Sequence, residues 1–182
     1  MSAMDEAPKP TITIVLMGVS GSGKSSACRA LVTRLGWPSV EGDDLHPPAN
    51  VAKMARGEPL DDADRRPWLA AIATWIGRRE AAGHDALVTC SALKGAYRDR
   101  LRLGHPSVWF AHLVAPREVL ATRMAARSGH FMPLALLDSQ LATLEPLGSD
   151  EPGAAFPTDR SPAATAVAIL ARLHALGHLA SP

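Results

Sequence analysis

An α/β fold, with a parallel sheet covered by helices on both faces, is predicted by three features of the sequence. Short apolar runs rich in β-branched residues occur at 11–17, 39–41, 85–90 and 108–114. Between them lie longer segments whose apolar residues recur every three or four positions. The third feature is a glycine-rich turn, Gly18 to Ser25, placed between the first run and the first periodic segment. Strands alternating with helices of this length build a sheet whose crossovers cover it.

The first strand is TITIVLM, residues 11–17, which leads through the glycine turn into a helix from about Gly23 to Leu35. A short second strand, Ser39 to Glu41, ends in glycine and aspartates. Trp68, Leu69, Ile72, Trp75 and Ile76 form one helical stripe, and Leu134, Leu137, Leu141 and Leu144 form another. DALVTC at 85–90 and VWFAHLV at 108–114 are two further strands. The AAFPT region near residue 156 supplies a fifth strand, at an edge, where a proline without an N–H is tolerated. Ser161 caps the last helix and Pro162 opens it, with Val167, Leu170 and Leu173 on its apolar side. Strand order is not legible from this pattern.

With 182 residues the chain fits one domain, and 47% hydrophobic against 20% charged residues argues against disorder. A flexible tail is expected over residues 1–10 and a single domain over 11–182. Nineteen basic and 18 acidic residues leave a net charge of +1, too little for a nucleic-acid track but compatible with a local site for a small anion. The apolar runs are too short to span a membrane. Cys28 and Cys90 cannot build a disulfide framework and lack partners at zinc-site spacing, so a reducing, cytoplasmic setting is expected.

Gly18-Val19-Ser20-Gly21-Ser22-Gly23-Lys24-Ser25 is a complete G-x-x-x-x-G-K-[ST] pattern between a strand and a helix. Glycines let successive N–H groups face inward, making a phosphate nest at the positive end of the following helix. Lys24 can then reach the β- and γ-phosphates of ATP while the Ser25 hydroxyl ligates Mg²⁺. No N-K-x-D segment is present, and the best central strand ends VTCSAL rather than in an acid. A small-molecule kinase is therefore favoured over a GTPase or a motor, with a noncatalytic nucleotide-binding switch as the alternative of a different class.

The second strand runs into Glu41-Gly42-Asp43-Asp44-Leu45-His46-Pro47. Ligands of open α/β sheets bind at the C-terminal ends of strands, so these acids face the phosphate loop. Asp43 is placed to orient or deprotonate an attacking hydroxyl, with Asp44 as its local competitor and an Asx turn as the structural alternative.

The blocks GVSGSGKS at 18–25, GDDLHPPANVAKM at 42–54, GEPLDDADRRPWL at 57–69, CSALKGAYRDRLR at 90–102 and RSGHFMPLALLDSQLATLEPL at 127–147 resemble the gluconate kinases, or gluconokinases, of the small P-loop kinase group. The resemblance covers most of the chain in the family's order. It implies an adenylate-kinase-like, three-layer fold with a five-stranded parallel sheet of order 2-3-1-4-5, a mobile lid near 123–135 and a homodimer. It further implies ATP and Mg²⁺ as cofactors, D-gluconate as acceptor and transfer to its 6-hydroxyl; a shikimate-type kinase is the neighbouring alternative. His46, Lys53, Arg66 and Arg98 are candidate acceptor contacts, with an arginine gripping the carboxylate. The resemblance places Arg123, Arg127 and His130 in the lid, where closure brings arginines onto the transferring phosphate. The DEPGAAFPTD segment is a candidate wall of the adenine site.

Overall fold

The computed structural model describes residues 10–126 and 134–179. Five strands, β1 (Thr13–Met17), β2 (Ser39–Glu41), β3 (Ala86–Thr89), β4 (Val108–Val114) and β5 (Gly153–Pro157), form one sheet. Its order is β2-β3-β1-β4-β5 and every pairing is parallel, the arrangement implied by the resemblance. Among the described residues seven α-helices connect or follow them: α1 (Lys24–Leu35), α2 (Pro48–Ala55), α3 (Asp62–Ala81), α4 (Gly95–Arg102), α5 (Arg117–Ala125), α6 (Leu134–Thr143) and α7 (Pro162–Ala175). A 3-10 turn, Gly42–Leu45, joins β2 to α2. Among the described residues no helix is long and apolar enough to cross a membrane.

Strand alternation divides the core into two layers. Ile12, Ile14 and Leu16 pack with Ala27, Cys28 and Leu31 of α1 and with Ala166, Ile169 and Leu173 of α7. On the opposite face, Val15 and Met17 meet Trp68, Leu69, Ile72 and Ile76 of α3 and Tyr97 and Leu101 of α4. A third cluster, Val19, Leu93, Leu120, Met124 and Leu137, closes over the strand ends and ties the phosphate loop to α5 and α6.

β5 is an edge strand, with Pro157 as its last residue. Ser161 caps α7 by accepting from the Ala164 N–H at 3.2 Å. The apolar face of α7 departs from the expected phase: Ala166, Ile169 and Leu173 are buried, whereas Val167 is 48% exposed. A strict three-residue spacing drifts around a helix of 3.6 residues per turn, and the 166-169-173 spacing holds one face against α1.

Candidate active site

The phosphate loop leaves β1 at Gly18, whose φ is +140° and whose missing Cβ would lie 2.6 Å from the Leu113 carbonyl oxygen. A side chain is excluded by both conformation and space. Gly23, at φ +96°, turns the chain into α1 and aims that helix's N-terminus at the loop. Lys24 Nζ donates back to the carbonyls of Gly18 (2.9 Å) and Val19 (3.1 Å), which holds its ammonium against the loop. The Ser20 N–H donates to the side-chain oxygen of Gln140, on α6, at 2.7 Å.

Glu41, the last residue of β2, joins three elements. Its Oε2 accepts from the Ser25 hydroxyl at 3.0 Å and from the Thr89 hydroxyl, at the end of β3, at 2.5 Å. Hydroxyl and carboxylate oxygens are a hard donor set that suits Mg²⁺, which takes one or two protein ligands and completes its octahedron with water and phosphate oxygens. Among the described residues no group of three or more His, Cys, Asp and Glu could hold a metal by itself. The Ser25–Glu41 pair thus fits a cation shared with a nucleotide better than a dedicated protein cage.

Asp43 and Asp44 both stand exposed on the 3-10 turn beyond β2. Cys90 directly follows β3, and the charges of Asp43, Lys24 and Arg65 all act on it, although burial is what chiefly pushes its thiol up to about 12. Asp43, Lys24 and Arg65 therefore share one electrostatic environment at the strand ends. His46 stacks on Trp68 with centroids 4.3 Å apart and planes 13° from parallel. Trp68 is fixed in turn by donating to the Gly42 carbonyl at 2.7 Å. Burial holds the His46 imidazole below its ordinary value, Asp43 opposes that shift and Arg65 adds to it. The ring contacts Asn50, whose amide also donates to the Asp64 carbonyl at 2.8 Å.

Other expected acceptor contacts are placed differently. Lys53 is paired with Asp64 at 2.6 Å, and Asp64 also completes the capping box of α3 with Asp61. Arg66 is exposed; its neighbour Arg65 is half-buried, 5.7 Å from the centroid of the Tyr97 ring. Arg98 corrects the expectation more sharply. Its side chain is 1% exposed, and its guanidinium binds Glu151 bidentately at 2.6 and 2.9 Å. Its remaining N–H groups reach the carbonyls of Ala92, Leu93, Glu145 and Pro146. All five donors are engaged within the protein, so none is left for an acceptor.

Arg123 donates to Thr158 and, at 3.5 Å, to the Gly21 carbonyl. It lines a cavity of about 260 Å³ with Gly23, Ala27, Thr158, Arg160 and Thr165, between the start of α1 and the segment after β5. Arg127 and His130 lie outside the described residues. A second cavity, about 310 Å³, lies between α3 and α4 and receives no residue from the phosphate loop or the strand ends.

In the sequence Glu41, Thr89 and Gln140 have no role of their own, and Arg65 is one of several candidate acceptor contacts beside Arg66. Glu41 carries a signal, an acid closing a strand, but the expected place for such an acid is the central strand; the carboxylate within reach of Ser25 stands instead at the end of β2, supported by Thr89 of β3. Gln140 also carries one, as a polar residue between Leu137 and Leu141 on an otherwise apolar stripe. Arg65 and Arg66 are indistinguishable until the phase of α3 is known.

The family model described as an AAA domain matches residues 13–147. The chain is 55% identical over 139 residues to the gluconokinase of Gluconobacter oxydans, covering 76% of this chain and 78% of that protein. A gluconokinase structure from Sinorhizobium meliloti superposes with a TM-score of 0.80 at 45% identity, covering 93% of this chain and 97% of the other. An unliganded sugar kinase from a Janibacter species superposes at 0.85 with 46% identity, covering 95% and 100%. With identity this high over three quarters of its length, and with the loop, the sheet order and the strand-end acids in place, the chain belongs to the gluconokinase family.

Proposed function

We propose that the protein transfers the γ-phosphoryl group of ATP to the 6-hydroxyl of D-gluconate, giving 6-phospho-D-gluconate and ADP. The observation that carries this reading is the meeting, at the C-terminal ends of β1, β2 and β3, of a phosphate loop, the Ser25–Glu41 oxygen pair and an exposed Asp43, in a chain of this family. The loop amides and Lys24 hold the β/γ region, and the cavity beside Arg123 and Thr158 takes the base side of the nucleotide. Ser25 and Glu41 are the residues that would hold Mg²⁺, which when bound would supply charge neutralisation for phosphoryl transfer. Asp43 accepts the hydroxyl proton as the acceptor oxygen bonds to phosphorus and the bond to the β-phosphate oxygen breaks.

For the acceptor carboxylate, Arg65 is the better candidate than Arg66, because its charge reaches both Cys90 and His46. His46, packed flat on Trp68, offers a neutral ring edge to a sugar hydroxyl. Lys53 serves through Asp64, and Arg127 and His130 complete the proposal as phosphate contacts on the resemblance alone. A homodimer and a cytoplasmic location belong to the same reading; light scattering on the purified chain tests the first.

The deciding experiment presents the purified protein with ATP, Mg²⁺ and, in turn, gluconate, shikimate, nucleoside monophosphates and neutral sugars. Gluconate is expected to give the largest kcat/KM for ADP release. A larger value for shikimate reassigns the acceptor, and nucleotide binding without any acceptor-dependent turnover establishes a noncatalytic switch instead.

A further inference from the structure

Gln140 is the polar member of an α6 face that otherwise packs apolar residues. Leu137 is fully buried against Val19, Leu93, Leu120 and Met124, and Leu141 and Leu144 join the same cluster. A carboxamide beside such a cluster is costly unless it is hydrogen-bonded, and its partner is the backbone N–H of Ser20 at 2.7 Å. An N–H can only donate, so the oxygen of the carboxamide faces Ser20 and the orientation of the group is fixed. Its nitrogen, with two N–H donors, is then held at the edge of the phosphate loop. No described residue accepts from that nitrogen. The helix presenting it is itself anchored, because Asp138 takes both bonds of the Arg117 guanidinium, at 2.7 and 2.9 Å, from α5.

We propose that Gln140 is a γ-phosphoryl contact: its oxygen holds the Ser20 amide while its nitrogen donates to an oxygen of the transferring group. The inference rests on the kinase reading of the loop. Neither Ser20 nor Gln140 lines the cavity assigned to the base side of the nucleotide, so the contact is assigned to the phosphoryl end. Lys24 supplies charge from the same loop, whereas Gln140 supplies a neutral, oriented donor from a different element. Such a donor fixes the group's direction and adds no net charge to the site. Loss of one preorganised donor to charge developing in a transition state costs on the order of 10²-fold in kcat.

Gln140→Glu and Gln140→Ala separate this role from a structural one. A glutamate still accepts from the Ser20 N–H, but it has no donor and sets a negative charge beside the phosphoryl oxygens. Both variants are expected to lose about 10²-fold in kcat with the KM for gluconate nearly unchanged. Calorimetry with ADP and with the β,γ-imido analogue of ATP, in the absence of acceptor, is expected to show weaker binding of the analogue alone. Wild-type kcat in Gln140→Glu overturns the proposal, because it means that the residue only caps Ser20. Equal losses of ADP and analogue affinity overturn it too, by showing general support of the loop. Failure of the unaltered protein to phosphorylate gluconate sinks the acceptor assignment and leaves the calorimetric comparison able to decide the role of Gln140.

Discussion

Two carboxylates only two residues apart have separable tasks at this site. Glu41 is turned inward and shared between the Ser25 and Thr89 hydroxyls, whereas Asp43 is exposed on the turn that follows. Asp43→Asn nearly conserves volume and removes the proton acceptor. It is expected to lower kcat by about 10²-fold with little change in ATP affinity. Glu41→Gln keeps an acceptor oxygen for both hydroxyls but removes the charge that favours a cation, so the Mg²⁺ concentration giving half-maximal rate is expected to rise. Mg²⁺ titrations of the two variants check the division, and a displaced midpoint in Asp43→Asn with none in Glu41→Gln would reverse it. Arg98 poses a different question, because its work is internal. It clamps the loop after β3, where Ala92 has a positive φ of 44° and Ser91 accepts from the Gly18 N–H at 3.2 Å. Arg98→Ala leaves Glu151, whose side chain is 8% exposed, without its partner. The expected loss is about 3–5 kcal/mol of stability, read from urea unfolding, as for other buried ion pairs broken on one side. A folded, stable Arg98→Ala that has lost only gluconate affinity would restore the acceptor role.

At the scale of elements, strands and helices were legible because each carries its own period and its own stop signals. Ser161 and Pro162 start α7 as their chemistry dictates. The joints between elements were not legible, since they depend on which backbone atoms meet. Gly42 shows why. It opens the 3-10 turn directly after β2, and a Cβ there would stand 2.2 Å from the Thr89 carbonyl oxygen and 3.3 Å from Ile72. Its carbonyl also receives the Trp68 N–H, so the end of β2, β3 and α3 converge on a position with no room for a methyl group. Gly36, which ends α1 at φ +66°, has nothing within 4 Å of its absent Cβ. Gly36→Ala is expected to cost about 1 kcal/mol, from backbone strain alone. Gly42→Ala is expected to cost about 3 kcal/mol, at the upper end of overpacking losses, and to disturb Glu41 next to it. Urea midpoints of the two variants check the order, and a larger loss at Gly36 contradicts the convergence described here.

For the whole molecule, the sheet order explains which residues could be assigned from sequence. The chain crosses from β1 to β2 and β3 on one side and then to β4 and β5 on the other, so the loops after the strands converge beside the phosphate loop. Local motifs such as residues 18–25 and 41–46 carry that information with them. Arg98 does not, because its ion-pair partner Glu151 and the carbonyls of Glu145 and Pro146 are delivered by the far half of the chain. The same distribution of buried groups sets the pH dependence of stability. Burial lowers the pKa of His46 and, with the charge of Arg98 adding to it, that of His112. In the unfolded chain both titrate near the ordinary histidine value of about 6.5. As pH falls through that value the unfolded state binds more protons than the folded one, so stability falls with it. Glu151 adds a second, more acidic stage: hydrogen bonding to Arg98 lowers its pKa, so its contribution is present above the ordinary carboxylate range and is lost as pH drops through the folded value. Asp62 and Asp64 shift in the same direction, but they are solvent-screened and add little. Unfolding free energies measured in urea are therefore expected to decline below about pH 6.5, with a further decline in the carboxylate range, and to decline again at alkaline pH, where the buried thiols of Cys28 and Cys90 ionise in the unfolded chain before they do in the folded one. Replacing both His46 and His112 by glutamine is expected to flatten the first decline and leave the second. The slope against pH is the readout, since the substitutions also change absolute stability. An unaltered slope between neutrality and pH 5.5 in the double variant would mean that other groups carry the first stage.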